Sequence, residues 1–304
     1  NFLKFRKIAA VFSLLLCVAS AGIFSAKGLN FGIDFRGGIL IEIRTQGPAD
    51  ISKLRGTLSG LGLGEVQLQE FGQASDVLIR IERQAGGEKA QLVAVELAKK
   101  ALGNEVNYRR TEFVGPKVGG ELIEAGVTAV LLALGAMLVY IWFRFEWQFG
   151  VGAVVALLHD VLLTIGIFAL LGLEFNLSTV AAILTIAGYS INDTVVVYDR
   201  VRENLRKYKQ MPLAELLNVS INSTLSRTLL TSVTTLLALS ALYFFGGEVL
   251  AGFSFAMIWG VIVGTYSSIF IAVPLLVYMK LRRTGLIVGD TNGDDAAAAG
   301  KSAN

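Results

Sequence analysis

Six runs of apolar residues, each long enough to cross a lipid bilayer, constrain this chain more than anything else in it. A spanning helix needs about 20 predominantly apolar residues. Such runs lie at 8–24, 125–143, 149–171, 177–198, 225–245 and 253–279. Inside hydrocarbon every backbone N–H and C=O must be bonded within the protein, so each run is expected to be a helix. The hydrophobic share of 54% agrees, since soluble domains sit near roughly 45–50%. The first run follows Lys4, Arg6 and Lys7, as in a signal peptide. Its apolar stretch is long for one, however, and Ala21-Gly22-Ile23 makes a poor cleavage site, so it reads as a retained anchor.

Basic residues flanking the runs set the orientation. Lys4, Arg6 and Lys7 precede the first run and Arg144 follows the second. Arg200, Arg202, Arg206, Lys207 and Lys209 follow the fourth, and Lys280, Arg282 and Arg283 the sixth. The opposite short loops, 172–176 and 246–251, contain no Lys or Arg. The positive-inside rule therefore places both termini in the cytoplasm and the long polar segment outside. Net charge is only +3, which gives no footprint for nucleic acid, and a single cysteine, Cys17, with a single histidine, His159, argues against a metal centre. The resulting division is 1–26 for the N-terminus and first helix, 27–120 for the external domain, 121–283 for helices two to six with a cytoplasmic segment at 199–222, and 284–304 for a disordered tail.

The external segment opens on 31–38, FGIDFRGG, where glycines permit turns closed to other residues. Asp34, Arg36, Gly37 and Gly38 read as a structured turn with a local ion pair, or as a contact for a substrate or partner. Strands are expected at 39–44, 66–71, 77–81 and 106–113, with helices following Asp50 and over 88–102. In the second helix Leu92, Val95 and Leu102 are expected to point inward. The order β-α-β-β-α-β is that of a small α+β ferredoxin-like domain. Gly115, Pro116, Gly119 and Gly120 then suggest a hinge before the second span.

The spans carry a few polar residues, which are costly in lipid and so are candidates for function. His159 and Asp160 lie within the third. In the fourth, Thr185, Tyr189, Asn192 and Asp193 fall on one helical stripe. In the fifth, Thr224, Arg227, Thr228, Thr231 and Thr235 form another, so that Asp193 and Arg227 are expected to pair. Such a pair either specifies packing or exchanges a proton. Asp160 likewise either fixes packing or joins a proton route with His159. Gly260, Gly264 and Ser268 give the sixth span a small-residue face for close helix packing, and Pro274 suggests a kink at its inner end.

The strings FGIDFRGG, 114–120, His159-Asp160 and GYSINDTVVVYDRVRE at 188–203, with 223–235 around Arg227, together closely resemble the SecD/SecF family of bacterial protein-export subunits, within the RND transporter superfamily. The resemblance covers nearly the whole chain apart from the tail. It implies six helices forming half of a twelve-helix RND-type bundle in the inner membrane, with 27–120 in the periplasm. It further implies pairing with SecD, a place beside the SecYEG channel with YajC and YidC, and use of the proton-motive force on preproteins after SecA has acted. Protons rather than a bound cofactor would be the coupling species, with Asp193 and Arg227 on the proton pathway and the external domain moving. A non-conducting scaffold subunit stabilising the SecYEG complex and half of an RND-type small-molecule or lipid exporter are the other readings; an enzyme finds no support in these residues.

Overall fold

The computed structural model describes residues 1–103, 105–114, 116–279 and 281. Six helices in it are long and apolar enough to cross a membrane. They are α1 (Arg6–Lys27), α5 (Pro116–Arg144), α6 (Trp147–Leu171), α7 (Leu177–Lys207), α8 (Leu213–Phe245) and a sixth made in three parts. Those parts are α9 (Glu248–Ser267), a π-helical turn (Ser268–Ala272) and α10 (Val273–Tyr278). Pro274 explains the break: it lacks an N–H and its ring crowds the preceding turn, and widening the helix by a residue absorbs both. The tail at 284–304, Gly115, Lys280, Arg282 and Arg283 lie outside the described residues.

Three helix ends lie well beyond their apolar runs. α5 begins nine residues before 125, so Pro116, Gly119 and Gly120 sit in its first turns instead of forming a loose linker. Proline is suited to that place, because the first helical N–H has no partner anyway. Between the fourth and fifth spans, α7 continues to Lys207 and α8 begins straight after Pro212, reducing the connecting segment to a few residues. Residues 213–222, expected to belong to a cytoplasmic segment, and the fifth span are thus one rod.

The chain folds into two compact units. One comprises Leu29–Leu132 with Leu171–Ala181. Its sheet contains β2 (Gly38–Thr45), β3 (Val66–Phe71), β4 (Gln73–Ile81) and β5 (Val106–Val114) in the order β3-β4-β2-β5, every neighbour antiparallel, which is the ferredoxin-like arrangement. Alternate residues Ile39, Ile41 and Ile43 of β2, with Val77, Ile79 and Ile81 of β4, form the core beneath α3 (Ile51–Ser59) and α4 (Gly87–Leu102). Asp50 caps α3 by accepting from the Lys53 N–H at 2.9 Å. In α4 the buried arc is Gln91, Ala94, Val95, Ala98 and Leu102. Leu92, expected inward, is 46% exposed, because the small Ala94 and Ala98 let the helix lie close to the sheet along a stripe one residue away.

Asp76, buried on β4, accepts two bonds from Arg44 at 2.5 and 2.6 Å. The bonded Arg44 guanidinium holds its carboxyl below the usual carboxylate range, against the opposing effect of burial. A lowered folded value means stabilisation that is complete above the unfolded value, about 3.9, and lost as pH falls through the folded one. Amide exchange across β2 and β4 is therefore expected to accelerate below about pH 4. An Asp76→Asn chain should lack that component of the pH dependence.

The same unit holds a feature absent from the sequence reading. β1 (Asn30–Phe31) pairs in parallel with β6 (Glu174–Phe175), next to a single helical turn, α2 (Ile33–Arg36). Gly37 and Gly38 follow at φ +71° and +117°, where a side chain is strained. A Cβ on Gly38 would also come within 2.7 Å of the Ile81 carbonyl oxygen.

The other unit comprises Asn1–Gly28, Ala133–Leu170 and the described residues after Ala181. Its core joins Phe149, Ala153, Leu157, Ala187, Ile191, Tyr198, Leu217 and Leu276. Glycines set the helix spacing. A Cβ on Gly260 would overlap the Ile186 side chain, and one on Gly264 would fall 3.1 Å from Ser190 Cβ, so α9 lies tight against α7. Gly152 leaves room for fully buried Tyr198, whose hydroxyl donates to the Ala272 carbonyl at 3.2 Å.

Candidate functional site

Two buried carboxylates sit inside the helix bundle. Asp160 on α6 is 0% exposed and has donors on both oxygens. Ser190 of α7 donates to Oδ2 at 2.5 Å and Ser267 of α9 at 2.7 Å, while His159 Nδ1 lies 2.9 Å from Oδ1. Helices α6, α7 and α9 thus converge on one group, and the 5%-exposed His159 has no hydrogen-bond partner for Nε2 among the described residues. Burying a carboxylate is tolerable where hydrogen bonds replace its hydration, and here they do.

Asp193 on α7 is held differently. It is 7% exposed, and Thr228 of α8 donates to its Oδ1 at 2.8 Å, but Oδ2 is buried with no hydrogen-bond partner among the described residues. Ser268 lies beside the carboxylate. Its hydroxyl also lies 2.9 Å from the Gly264 carbonyl and 3.0 Å from the Thr194 hydroxyl. This second centre adjoins the first: Ser267, which donates to Asp160, and Ser268, beside Asp193, are consecutive where α9 passes into the π-helical turn.

The expected Asp193–Arg227 ion pair is not formed. Successive residues of a helix lie about 100° apart, and it is Thr228 that turns toward Asp193, leaving Arg227 exposed and acting on the carboxylate only through its field. The expected stripes divide in the same way. Thr224, Thr228 and Ser232 of α8 are buried while Arg227 and Thr231 are exposed; on α7 Ser190, Asp193 and Thr194 are buried while Thr185 and Asn192 are exposed. Sequence reasoning missed Ser190, Ser267 and Thr194. The signal for two of them was present, Ser190 lying three residues before Asp193 and Thr194 four after Ser190; Ser267 has no such neighbour three or four residues away.

Asp34 is not paired with Arg36, which is exposed; two residues apart on a helical turn, the side chains diverge. Asp34 Oδ2 instead accepts the Leu177 N–H at 2.9 Å, the first of α7. Asn176 Oδ1 accepts the Thr179 N–H at 3.1 Å, so two side chains from distant segments cap one helix. Gly120 lies exposed in α5; of the other proposed hinge residues, Gly115 lies outside the described residues and Pro116 and Gly119 are described as helix backbone only.

Six crossing helices, an inserted ferredoxin-like domain and an ionisable centre buried in the bundle define a multi-pass membrane protein. Residues 94–282 match the family described as protein export membrane protein SecD/SecF, C-terminal, and residues 22–49 match the SecD/SecF GG motif, which contains Gly37 and Gly38. The protein translocase subunit SecF of Rickettsia rickettsii is 50% identical over 287 residues, 93% of this chain and 92% of the relative. That of Rickettsia bellii is 50% identical over 280 residues, 91% and 92% of the two chains. The crystal structure of SecDF from Thermus thermophilus, a translocon-associated membrane protein, fits with a TM-score of 0.84 at 42% identity over 93% of this chain. A SecDF structure in a super-membrane-facing form fits at 0.68 with 41% identity over 94%. The chain spans 39% of the length of each of those SecDF chains. It belongs to the SecD/SecF family of protein-export membrane proteins, and its full-length likeness is to the translocase subunit SecF.

Proposed function

We propose that the chain is the smaller half of a proton-driven export machine, joined to SecD in the bacterial inner membrane and acting on preproteins late in their passage. In this reading both termini are cytoplasmic, residues 27–120 form the periplasmic domain, and SecYEG, YajC and YidC are neighbours, with SecA supplying the earlier, ATP-driven steps. The observation that carries it is Asp193, buried between α7 and α8 with one oxygen satisfied and the other bare. A permanently clamped structural pair would have Arg227 on that oxygen. A group that takes up and releases a proton needs a site whose partners leave room for it.

Arg227 and Asn192 support the pairing. An uncovered guanidinium on a membrane span is costly, by about 2.5–3.5 kcal/mol on insertion scales, so the face carrying them is expected to be covered by helices that offer an acidic group. That places SecD spans against α7 and α8. Coupling is energetically sufficient, since one charge crossing the membrane is worth about 2.3 kcal/mol per 100 mV. The TM-score falls from 0.84 to 0.68 at nearly equal identity, so the two SecDF structures differ in shape over the matched region, which suits a machine that moves.

The test uses vesicles holding the chain with SecD and SecYEG and a preprotein stalled after ATP is exhausted. A proton gradient imposed across the membrane is expected to advance the stalled chain. Advance no greater than in gradient-free vesicles overturns the reading.

A further inference from the structure

The motif FGIDFRGG and the loop between the third and fourth spans are 143 residues apart, yet they form one interlocked joint at the start of α7. β1 and β6 pair with Asn30 opposite Glu174 and Phe31 opposite Phe175, and the Gly32 N–H continues the ladder to the Phe175 carbonyl at 2.9 Å. Arg80, projecting from β4 of the ferredoxin-like sheet, donates to Asn30 Oδ1 at 3.0 Å and Glu174 Oε2 at 2.5 Å, with 15% and 23% of the Arg80 and Glu174 side chains exposed. Phe31, Phe35 and Phe175 pack around each other at 5.9 to 6.1 Å between ring centres, Phe31 meeting the other two edge to face. Gly32 is required by the close approach, since a Cβ there would lie 2.5 Å from Glu174 Oε1. Asp34 completes the joint by capping α7 at Leu177. Backbone, charge, aromatic and capping contacts all tie the sheet to the same helix end, and that end belongs to the same compact unit as the domain.

We propose that Asp34, Arg80 and Glu174 are positioning residues that seat the N-terminus of α7 in the ferredoxin-like domain, so that the domain and this helix end move as one body. α7 is one uninterrupted helix carrying Asp193 sixteen residues beyond Leu177, about 24 Å along its axis at 1.5 Å per residue. A shift of α7 at Asp193 is then delivered to the domain through this joint. The delivery rests on the proton-driven reading above; the seating does not.

The experiment uses the full chain with SecD and SecYEG, with Cys17→Ser as background. Asp34→Ala is expected to raise amide exchange at Leu177 and Ser178 about tenfold and to lower preprotein advance per proton taken up, while proton uptake itself stays near the starting level. Asp34→Glu is expected to restore part of both. A disulfide between Phe31→Cys and Phe175→Cys, which forbids β1 and β6 from separating, is expected to leave advance unchanged. Loss of advance on forming that disulfide, with recovery on reduction, would show that the joint must open and overturns the proposal; so would normal advance per proton in Asp34→Ala. If the gradient moves no preprotein even in the unaltered complex, the proton-driven reading fails instead, and exchange at Leu177 still decides the seating.

Discussion

Asp193→Asn is expected to reduce gradient-driven preprotein advance to the level seen without a gradient, while the six-helix bundle stays assembled. The two side chains have nearly the same shape. Asparagine can place its carbonyl where Oδ1 now accepts from Thr228 at 2.8 Å, so the α7–α8 contact survives. The bare Oδ2 position then receives an NH2 group that neither binds nor releases a proton in the working range. The cost in stability is that of one buried unsatisfied donor in place of one unsatisfied acceptor, about 1–3 kcal/mol at most. Thermal unfolding in detergent should accordingly change little, and proton uptake should vanish with transport. Normal advance in this variant, with uptake intact, means that the proton enters elsewhere.

Asp160→Ala is expected to do the opposite: to unfold the bundle at a markedly lower temperature. The carboxylate receives Ser190 and Ser267 on one oxygen and faces His159 on the other. Removing it leaves three polar groups from three helices without their acceptor, in a site with no exposure to water. Leaving a buried polar group unsatisfied costs about 1–3 kcal/mol, and three are stranded together here. Asp160→Asn keeps one acceptor and should fall between. The measurement is the melting temperature of the purified complex, and equal melting of Asp160→Ala and the unaltered chain would remove Asp160 from the account of the fold.

These two acids show what a linear reading reaches. Both stand out as charges within apolar runs, and the order of strands and helices around Ile39–Ile43 and Val77–Ile81 follows from local periodicity alone. The partner of Asp193 does not. Arg227 and Thr228 differ by one residue in sequence and by about 100° around the axis, and charge favours the arginine. Rotation of the helix, set by packing of Ser220, Thr224, Thr228 and Ser232 inward, decides for the threonine. The β1–β6 pair was equally beyond reach, since strands of two residues have no period. Asp34 looked like a partner for Arg36 because sequence proximity is visible and a helix end 143 residues away is not.

The packing of α1 sets the order in which the molecule can be assembled. Its contacts reach far forward: Ser13 to Tyr266, Ala9 to the same tyrosine, and Ser20 into the notch left by Gly166. During synthesis none of these groups exists until well over a hundred further residues have been added. The first helix must therefore wait alone in lipid, kept there by its own greasiness, and the finished chain closes back onto it last.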